Sequence, residues 1–207
     1  MAIGTEKTRL RAEMKEIRAE AAARDPDASE NLADAFPMKL LGRFGPIVSG
    51  YLPIGFEMDP GPLMRRRESN GAQLSLPRVE LDGTMTFRSW SWNDPLVEGP
   101  FGLRQPQHDA QPVLPTLLLL PLLAFDLMGN RLGYGQGHYD RAIEALRSKS
   151  RAFSCAVAYQ AQLVEELPNE PHDQPLDWAS TENGSTPLFM LRGFKKPEPA
   201  PETPDAA

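Results

Sequence analysis

Thr116-Leu-Leu-Leu-Leu-Pro-Leu-Leu-Ala-Phe-Asp126-Leu-Met-Gly-Asn-Arg-Leu-Gly-Tyr-Gly-Gln-Gly-His-Tyr-Asp140-Arg decides the fold. Thr116 to Leu120 is almost wholly apolar and short, as expected of a central strand covered on both faces. A turn follows, and Gly133, Gly135 and Gly137 then stand two apart before a helix predicted over Tyr139 to Lys149. Phe153 to Tyr159 is a second buried strand. Helices alternating with short strands, as here, imply an α/β layered sandwich with a mainly parallel sheet between helices.

Working outward, Leu10, Met14 and Ile17 recur at helical spacing within residues 5–24, and Asp25-Pro26 breaks that helix. A second helix is predicted from Asp27, where Asp-Ala-Ser-Glu resembles a capping box, to about Phe44. Pro46 to Leu52 reads as a strand and Asp59 to Asn70 as a helix. Gln73 to Pro77 and Met85 to Trp90 read as strands separated by Asp82-Gly83. Ser91 to Pro115 is rich in Pro and Gly without a period, so it reads as one long loop. The fold expected is a three-layer α/β/α sandwich with a mainly parallel central sheet, a single domain over residues 1–194. A disordered Pro-rich tail is expected over 195–207, where four prolines stand among almost no apolar mass.

The 207 residues carry 22 Lys+Arg against 28 Asp+Glu, a net charge of −6, with 41% hydrophobic and 24% charged residues. That is an ordinary globular composition and argues against broad nucleic-acid binding, which wants a basic footprint. The longest apolar run, Leu117 to Phe125, falls far short of the roughly 20 residues needed to cross a bilayer. The N-terminus is charged from Glu6 onward, without the apolar segment of a secretory signal. Cys155 is the single cysteine, so no internal disulfide can form, which fits a reducing cytoplasm. No membrane or nucleic-acid partner is expected, and a monomer is.

Backbone amides in the Gly133–Gly137 turn, joined to a helix N-terminus, form a natural phosphate cradle, or else a tight structural turn. Arg131 supplies a cation at its edge, and Asp140 sits where a carboxylate can hold magnesium. The spacing G-x-G-x-G is neither the dinucleotide fingerprint nor a Walker loop. Lys7 and Arg11, four apart, share a face of the first helix with Arg18 further along; they can clamp a polyphosphate or pair with neighbours such as Glu13. Glu57, after the first strand, can accept hydrogen bonds from substrate amine or amide groups, whereas Glu57 or Asp59 can instead cap the next helix. His172, Asp173 and Asp177 form a metal-capable or merely polar turn with no zinc spacing. Cys155, in an apolar strand, reads as inert, and Trp90, Trp92 and Phe101 as core or as a stacking surface.

Taken together, Lys7-Thr-Arg-Leu-Arg11, Tyr51 to Asp59, Leu76-Pro-Arg78, Gly102 to Pro106 and His172-Asp173 with Leu176-Asp177 flank a long signature. That signature, Phe-Asp-x-x-Gly-x-Arg-Leu-Gly-Tyr-Gly-x-Gly-x-Tyr-Asp-Arg, runs from Phe125 to Arg141. In this the chain resembles the 5-formyltetrahydrofolate cyclo-ligase (5,10-methenyltetrahydrofolate synthetase) family over most of residues 5–183. The resemblance implies ATP- and Mg²⁺-dependent closure of 5-formyltetrahydrofolate to 5,10-methenyltetrahydrofolate, through phosphorylation of the formyl oxygen and attack by N10. It implies that Lys7, Arg11 and the span Arg131, Leu132, Gly133, Tyr134, Gly135, Gln136, Gly137, His138 and Tyr139 bind ATP. It further implies that Asp140 and Asp177 hold magnesium, that Arg131 and Asp140 carry catalysis, and that Leu52 and Glu57 contact the folate. Tyr134 to His138 would lie between nucleotide and folate. Gln105 stands where many members have Glu, and Tyr134 and Gln136 where some have basic residues. The other readings are an ATP-dependent ligase on another small substrate and a non-catalytic nucleotide- or folate-binding regulator.

Overall fold

A computed structural model describes residues 3–37 and 46–192. The predicted tail and the last two residues of the predicted single domain, residues 193–207 together, lie outside them. Helix α1 covers Ile3–Arg24, and α2 covers Ala28–Ala35. Helix α2 stops well before Phe44 because Phe36 is extended, with φ −70° and ψ 129°. The ring of Pro37 crowds the preceding residue out of the helical region. The remainder of that predicted helix, 38–44, lies outside the described residues. The capping box does not form, since Asp27 makes no side-chain cap and its N–H is instead bonded to Asp25.

The chain continues through β1 (Ile47–Ser49), α3 (Gly61–Ser69), β2 (Gln73–Val79), β3 (Met85–Ser89), β4 (Leu96–Glu98) and β5 (Arg104–Pro106). It then runs through β6 (Leu117–Leu120), β7 (Ala124–Phe125), β8 (Arg131–Leu132), α4 (His138–Arg147) and β9 (Phe153–Val157). The described part closes with β10 (Trp178–Thr181), β11 (Gly184–Thr186) and α5 (Leu188–Leu191). The sheet order is β11-β10-β9-β6-β1-β2-β3. Its five inner strands are parallel, while β3 and β11 return antiparallel on the two borders. The outer side of β3 is bonded by the 111–113 segment, through Ser89 N–H to Gln111 O and Val113 N–H to Phe87 O.

The period of two along β6 explains the layers. Leu117 and Leu119 enter one core with Leu32 of α2 and Leu63 and Met64 of α3. Leu118 and Leu120 enter the opposite core with Ile143 and Leu146 of α4. Each fully buried leucine of this run contributes about 2 kcal/mol of transfer free energy, which is why this strand has no polar position. Helix α1 lies beyond the strand ends, where Met14 packs on Leu123, Ala124 and Leu132 with Leu10 and Ile17 beside it. The three-layer α/β/α sandwich with a mainly parallel sheet is therefore the observed fold.

A further prediction needs correction. Ser91 to Pro115 is not featureless, because β4 and β5 pair within it as an antiparallel hairpin. Gln105 anchors that hairpin with its buried side-chain amide. Its oxygen accepts from Val79 N–H at 3.0 Å and its Nε2 donates to Val79 O at 3.3 Å, so the amide extends the β2 ladder. A carboxylate there would lack the donor. Strands β4 and β5, three residues each amid Pro and Gly, carry too little pattern to be read from sequence.

In chain order the parallel strands run 2-1-3-4-5, so the winding reverses between β1 and β6. Connections leave that point toward opposite faces and open a crevice at the carboxyl ends of the strands.

Candidate active site

Past β6, the β7–β8 hairpin is braced by Asp126, a fully buried carboxylate. It accepts from Met128 N–H and Asn130 N–H at 2.9 Å, from the Asn130 amide at 2.8 Å and from Leu167 N–H at 3.0 Å. This staple sets the direction in which β8 delivers Arg131 and the glycine turn. Among the described residues, none of the backbone N–H groups of Gly133 to Gly137 donates a hydrogen bond, and no side chain caps α4. Gly137 is left-handed at φ 64°, which aims the start of α4, and Gly135 has φ 94°. A Cβ on Gly135 would also stand 3.2 Å from the Arg11 guanidinium, which lies across the turn and donates from Nε to Gly133 O at 2.9 Å. Free amides, a helix N-terminus and a cation together attract anions.

Arg131 is brought to the same place. Its side chain is 6% exposed; Nη2 lies 2.5 Å from Asp140 Oδ1 in the first turn of α4, and Nη1 donates to Gln174 O. Burial pulls the Arg131 guanidinium below its ordinary value, against the opposing pull of Asp140. Asp140 Oδ1 also accepts from Gln174 N–H at 2.9 Å, while Oδ2 accepts no hydrogen bond among the described residues. Lys7 is not aimed at the glycine turn. Its ammonium is 2.8 Å from both Glu170 and Asp173. Burial lowers its pKa, but hydrogen bonds to Asp173 and Glu170 outweigh this and raise it overall. Glu170, His172 and Asp173 each offer a ligand atom within 4.8 Å of the others, so the acidic turn noted in the sequence stands at the Lys7 end of the site.

Asp177 is separate from this group. Oδ2 is 2.8 Å from Arg147 Nη2 and accepts from Ser154 N–H at 2.9 Å, and Oδ1 is 3.2 Å from Arg192 Nη2. Its link to Asp140 is indirect: Gln174 donates its N–H to Asp140 and accepts from Arg147 through Oε1 at 3.1 Å.

On the other side of the glycine turn, Tyr134 reaches Glu57. The hydroxyl donates to Glu57 Oε1 at 2.6 Å, and Ile54 N–H donates to Oε2 at 2.9 Å. Glu57 is 6% exposed. Burial raises its pKa, opposed by the Tyr134 hydroxyl, the Ile54 amide and Arg18. The Tyr134 hydroxyl is itself pushed up to about 12, by burial and then by Glu57, so it is a donor at neutral pH. Neither Glu57 nor Asp59 caps α3, whose N-cap is Pro60 without a side-chain cap; Asp59 instead accepts from Gly61 N–H at 2.8 Å. Leu52 is half-buried against the core beside α2 and α3. His138 Nδ1 lies 3.2 Å from Gly83 O, joining the start of α4 to the β2–β3 turn. Leu132 is core, and Tyr139 packs partly buried against the α4 core.

Sequence reasoning gave Arg18 no role beyond the face it shares with Lys7 and Arg11; Glu170 and Gln174 it did not single out. Arg18 is 6% exposed, donates to Tyr134 Oη at 2.8 Å and stands 3.8 Å from Glu57. Trp90, Trp92 and Cys155 resolve as core, while the Phe101 side chain lies outside the described residues. Trp90 is buried and stacks edge-on with Trp92 at 4.9 Å, while Arg65 lies 3.8 Å over Trp92. Burial pushes the Cys155 thiol up to about 12, which leaves it without a nucleophilic thiolate.

Fold and site define a doubly wound α/β protein in which a glycine turn with unpaired amides opens a helix N-terminus beside a buried carboxylate at the strand-order reversal. The model of the 5-formyltetrahydrofolate cyclo-ligase family matches residues 3–182, and the chain belongs to that family. It is 30% identical over 174 residues to the 5-formyltetrahydrofolate cyclo-ligase of Haemophilus influenzae, spanning 81% of this chain and 92% of that one. Against the enzyme of the same name from Mycolicibacterium smegmatis it is 34% identical over 147 residues, spanning 66% of this chain and 72% of that one. The solution structure of Aquifex aeolicus 5,10-methenyltetrahydrofolate synthetase superposes with a TM-score of 0.72 at 30% identity, covering 95% of this chain and 98% of that one. Among the described residues, no helix is long and apolar enough to cross a membrane.

Proposed function

We propose that this chain catalyses the ATP-dependent cyclisation of 5-formyltetrahydrofolate to 5,10-methenyltetrahydrofolate, releasing ADP and phosphate. The observation that carries the reading is Tyr134: the turn with unpaired amides also contains the residue bonded to Glu57, so the anion cradle and the buried carboxylate adjoin. Arg11, Arg131 and the amides of Gly133 to Tyr139 bind the nucleotide, with Lys7 fixing the acidic turn at its edge. Glu57 and Leu52 receive the folate ring, and Tyr134 to His138 separate the two ligands. The formyl oxygen takes the terminal phosphoryl group of ATP; N10 then attacks the formyl carbon, and the C–O bond breaks to release phosphate. An amide-type oxygen leaves poorly and a phosphate leaves well, so the protein's work is placement and charge stabilisation.

The donor set fits Mg²⁺, which takes one or two carboxylates and completes its shell with phosphate oxygens and water. Asp140 offers an uncommitted Oδ2, while Asp177 joins only by giving up one of its two guanidinium partners. Bound there, the ion would neutralise charge on the transferred phosphoryl group. The reading includes a cytoplasmic protein acting as a monomer on a small-molecule substrate, with one domain ending near residue 194.

The test is phosphate release and methenyl-product absorbance with purified protein, ATP, Mg²⁺ and 5-formyltetrahydrofolate, each omitted in turn. Product should require all four components. Product formed equally without nucleotide, or ATP bound with no phosphate released, refutes the assignment.

A further inference from the structure

Three side chains far apart in sequence meet at the strand-order reversal: Arg18 from α1, Glu57 after β1 and Tyr134 from the glycine turn. One Tyr134 oxygen does two things at once. It accepts from Arg18 Nη1 at 2.8 Å and donates to Glu57 Oε1 at 2.6 Å. The donor and the acceptor that it joins are 3.8 Å apart. Arg18 Nη1 otherwise makes only a long bond of 3.4 Å to Leu122 O, and its Nε is closed off from solvent without an acceptor. A buried guanidinium with unused donors is costly unless something meets them. Tyr134 is less committed than its partners, being 42% exposed and flanked by two glycines. Withdrawal of its hydroxyl would leave one acceptor, Glu57 Oε1, beside one donor, Arg18 Nη1.

That vacated pair complements a ligand edge with an N–H next to a carbonyl, as in a ring lactam. The pyrimidinone edge of a 4-oxo pterin has this pattern, with ring N–H for the carboxylate and ring oxygen for the guanidinium. We propose that Arg18 is a specificity-determining residue that reads the 4-oxo group of the pterin, and that the Tyr134 hydroxyl holds its place with Glu57 until substrate displaces it. This rests on the folate reading above and adds to it the residue that distinguishes a 4-oxo from a 4-amino ring. A 4-amino group would present donors to the guanidinium, and the desolvated Arg18 would go unpaired.

Calorimetric binding of 5-formyltetrahydrofolate and of its 4-amino-4-deoxy counterpart to the full chain tests the assignment. Arg18→Met should weaken the 4-oxo ligand by roughly tenfold or more, the usual worth of a charge-assisted hydrogen bond, and change the 4-amino ligand far less. Equal weakening of both ligands would mark Arg18 as a structural brace for Glu57 and overturn the proposal. Tyr134→Phe removes the placeholder while leaving Arg18 and Glu57 intact, so it should tighten the 4-oxo ligand and keep the oxo preference. Weaker 4-oxo binding in that variant overturns the placeholder role, and it decides the matter if Arg18→Met does not fold. Failure of the folate reading itself shows separately, as absence of phosphate release by the unaltered chain.

Discussion

Replacing Arg131 by alanine separates bracing from chemistry. The guanidinium holds Asp140 Oδ1 at 2.5 Å and Gln174 O, so it ties the first turn of α4 to the segment before β10. Removing one partner of a fully buried pair costs about 3–5 kcal/mol. The Asp140 side chain is 21% exposed, so water can solvate the abandoned carboxylate, and a cost of about 2 kcal/mol is the better figure. For a chain of this size that lowers Tm by about 4–8 °C. Typical domains are stable by about 5–15 kcal/mol, so the variant stays folded at 20 °C. Any loss of turnover at that temperature is therefore chemical. If Arg131 stabilises charge on the transferred phosphoryl group, phosphate release should fall by about 10²- to 10³-fold, the usual effect of deleting one such donor. The assay is phosphate release at 20 °C alongside thermal melting. A lowered Tm with turnover within about threefold of the unaltered chain refutes the catalytic role and leaves Arg131 a brace.

Glu57→Gln keeps shape and removes charge, so the KM for 5-formyltetrahydrofolate should rise by roughly tenfold while the KM for ATP stays constant; a parallel rise in both contradicts the division of the site. Glu80 is partly desolvated, yet hydrogen bonds from Thr86, Arg88 and Arg78 hold its pKa down to about 2. A carboxylate depressed in the folded state contributes stability that is present above its ordinary value of 4.5 and is lost as pH falls toward 2. Glu80→Gln should accordingly flatten part of the fall in Tm between about pH 4.5 and 3, and an unchanged profile counts against the cluster. Cys155 is fully buried and its thiol is raised to about 12, so iodoacetamide at pH 8 should leave it unmodified until denaturant opens the sheet.

The parts of the fold legible in the sequence are those with a local period. The apolar run of β6, the glycine turn and α4 were all written in consecutive residues, as was the β2–β3 hairpin around Asp82-Gly83. Strands β4, β5 and β11 span three residues each and lack the flanking apolar run, Pro46 to Leu52, that marks the equally short β1. Asp25-Pro26 marks where α1 ends, whereas Pro37, which stops α2, falls inside the helix expected up to Phe44. For the site, Arg131, Asp140 and the glycines were legible because they adjoin. The pairs that give those residues a setting span the chain: Lys7 with Glu170 and Asp173 across 163 and 166 residues, and Tyr134 with Glu57 across 77. Only packing against the ends of the sheet makes such partners neighbours, and no short motif encodes it. Asp177 shows the reverse, since its place in a motif gave no sign that two arginines and a serine already engage it.

The borders of the sheet bear on how the chain behaves when concentrated. On one side the 111–113 segment already engages the Ser89 N–H and Phe87 O of β3; on the other, β11 is only three residues long. Neither rim offers a foreign strand a long template to extend, so crowding should not readily zip molecules into ribbons.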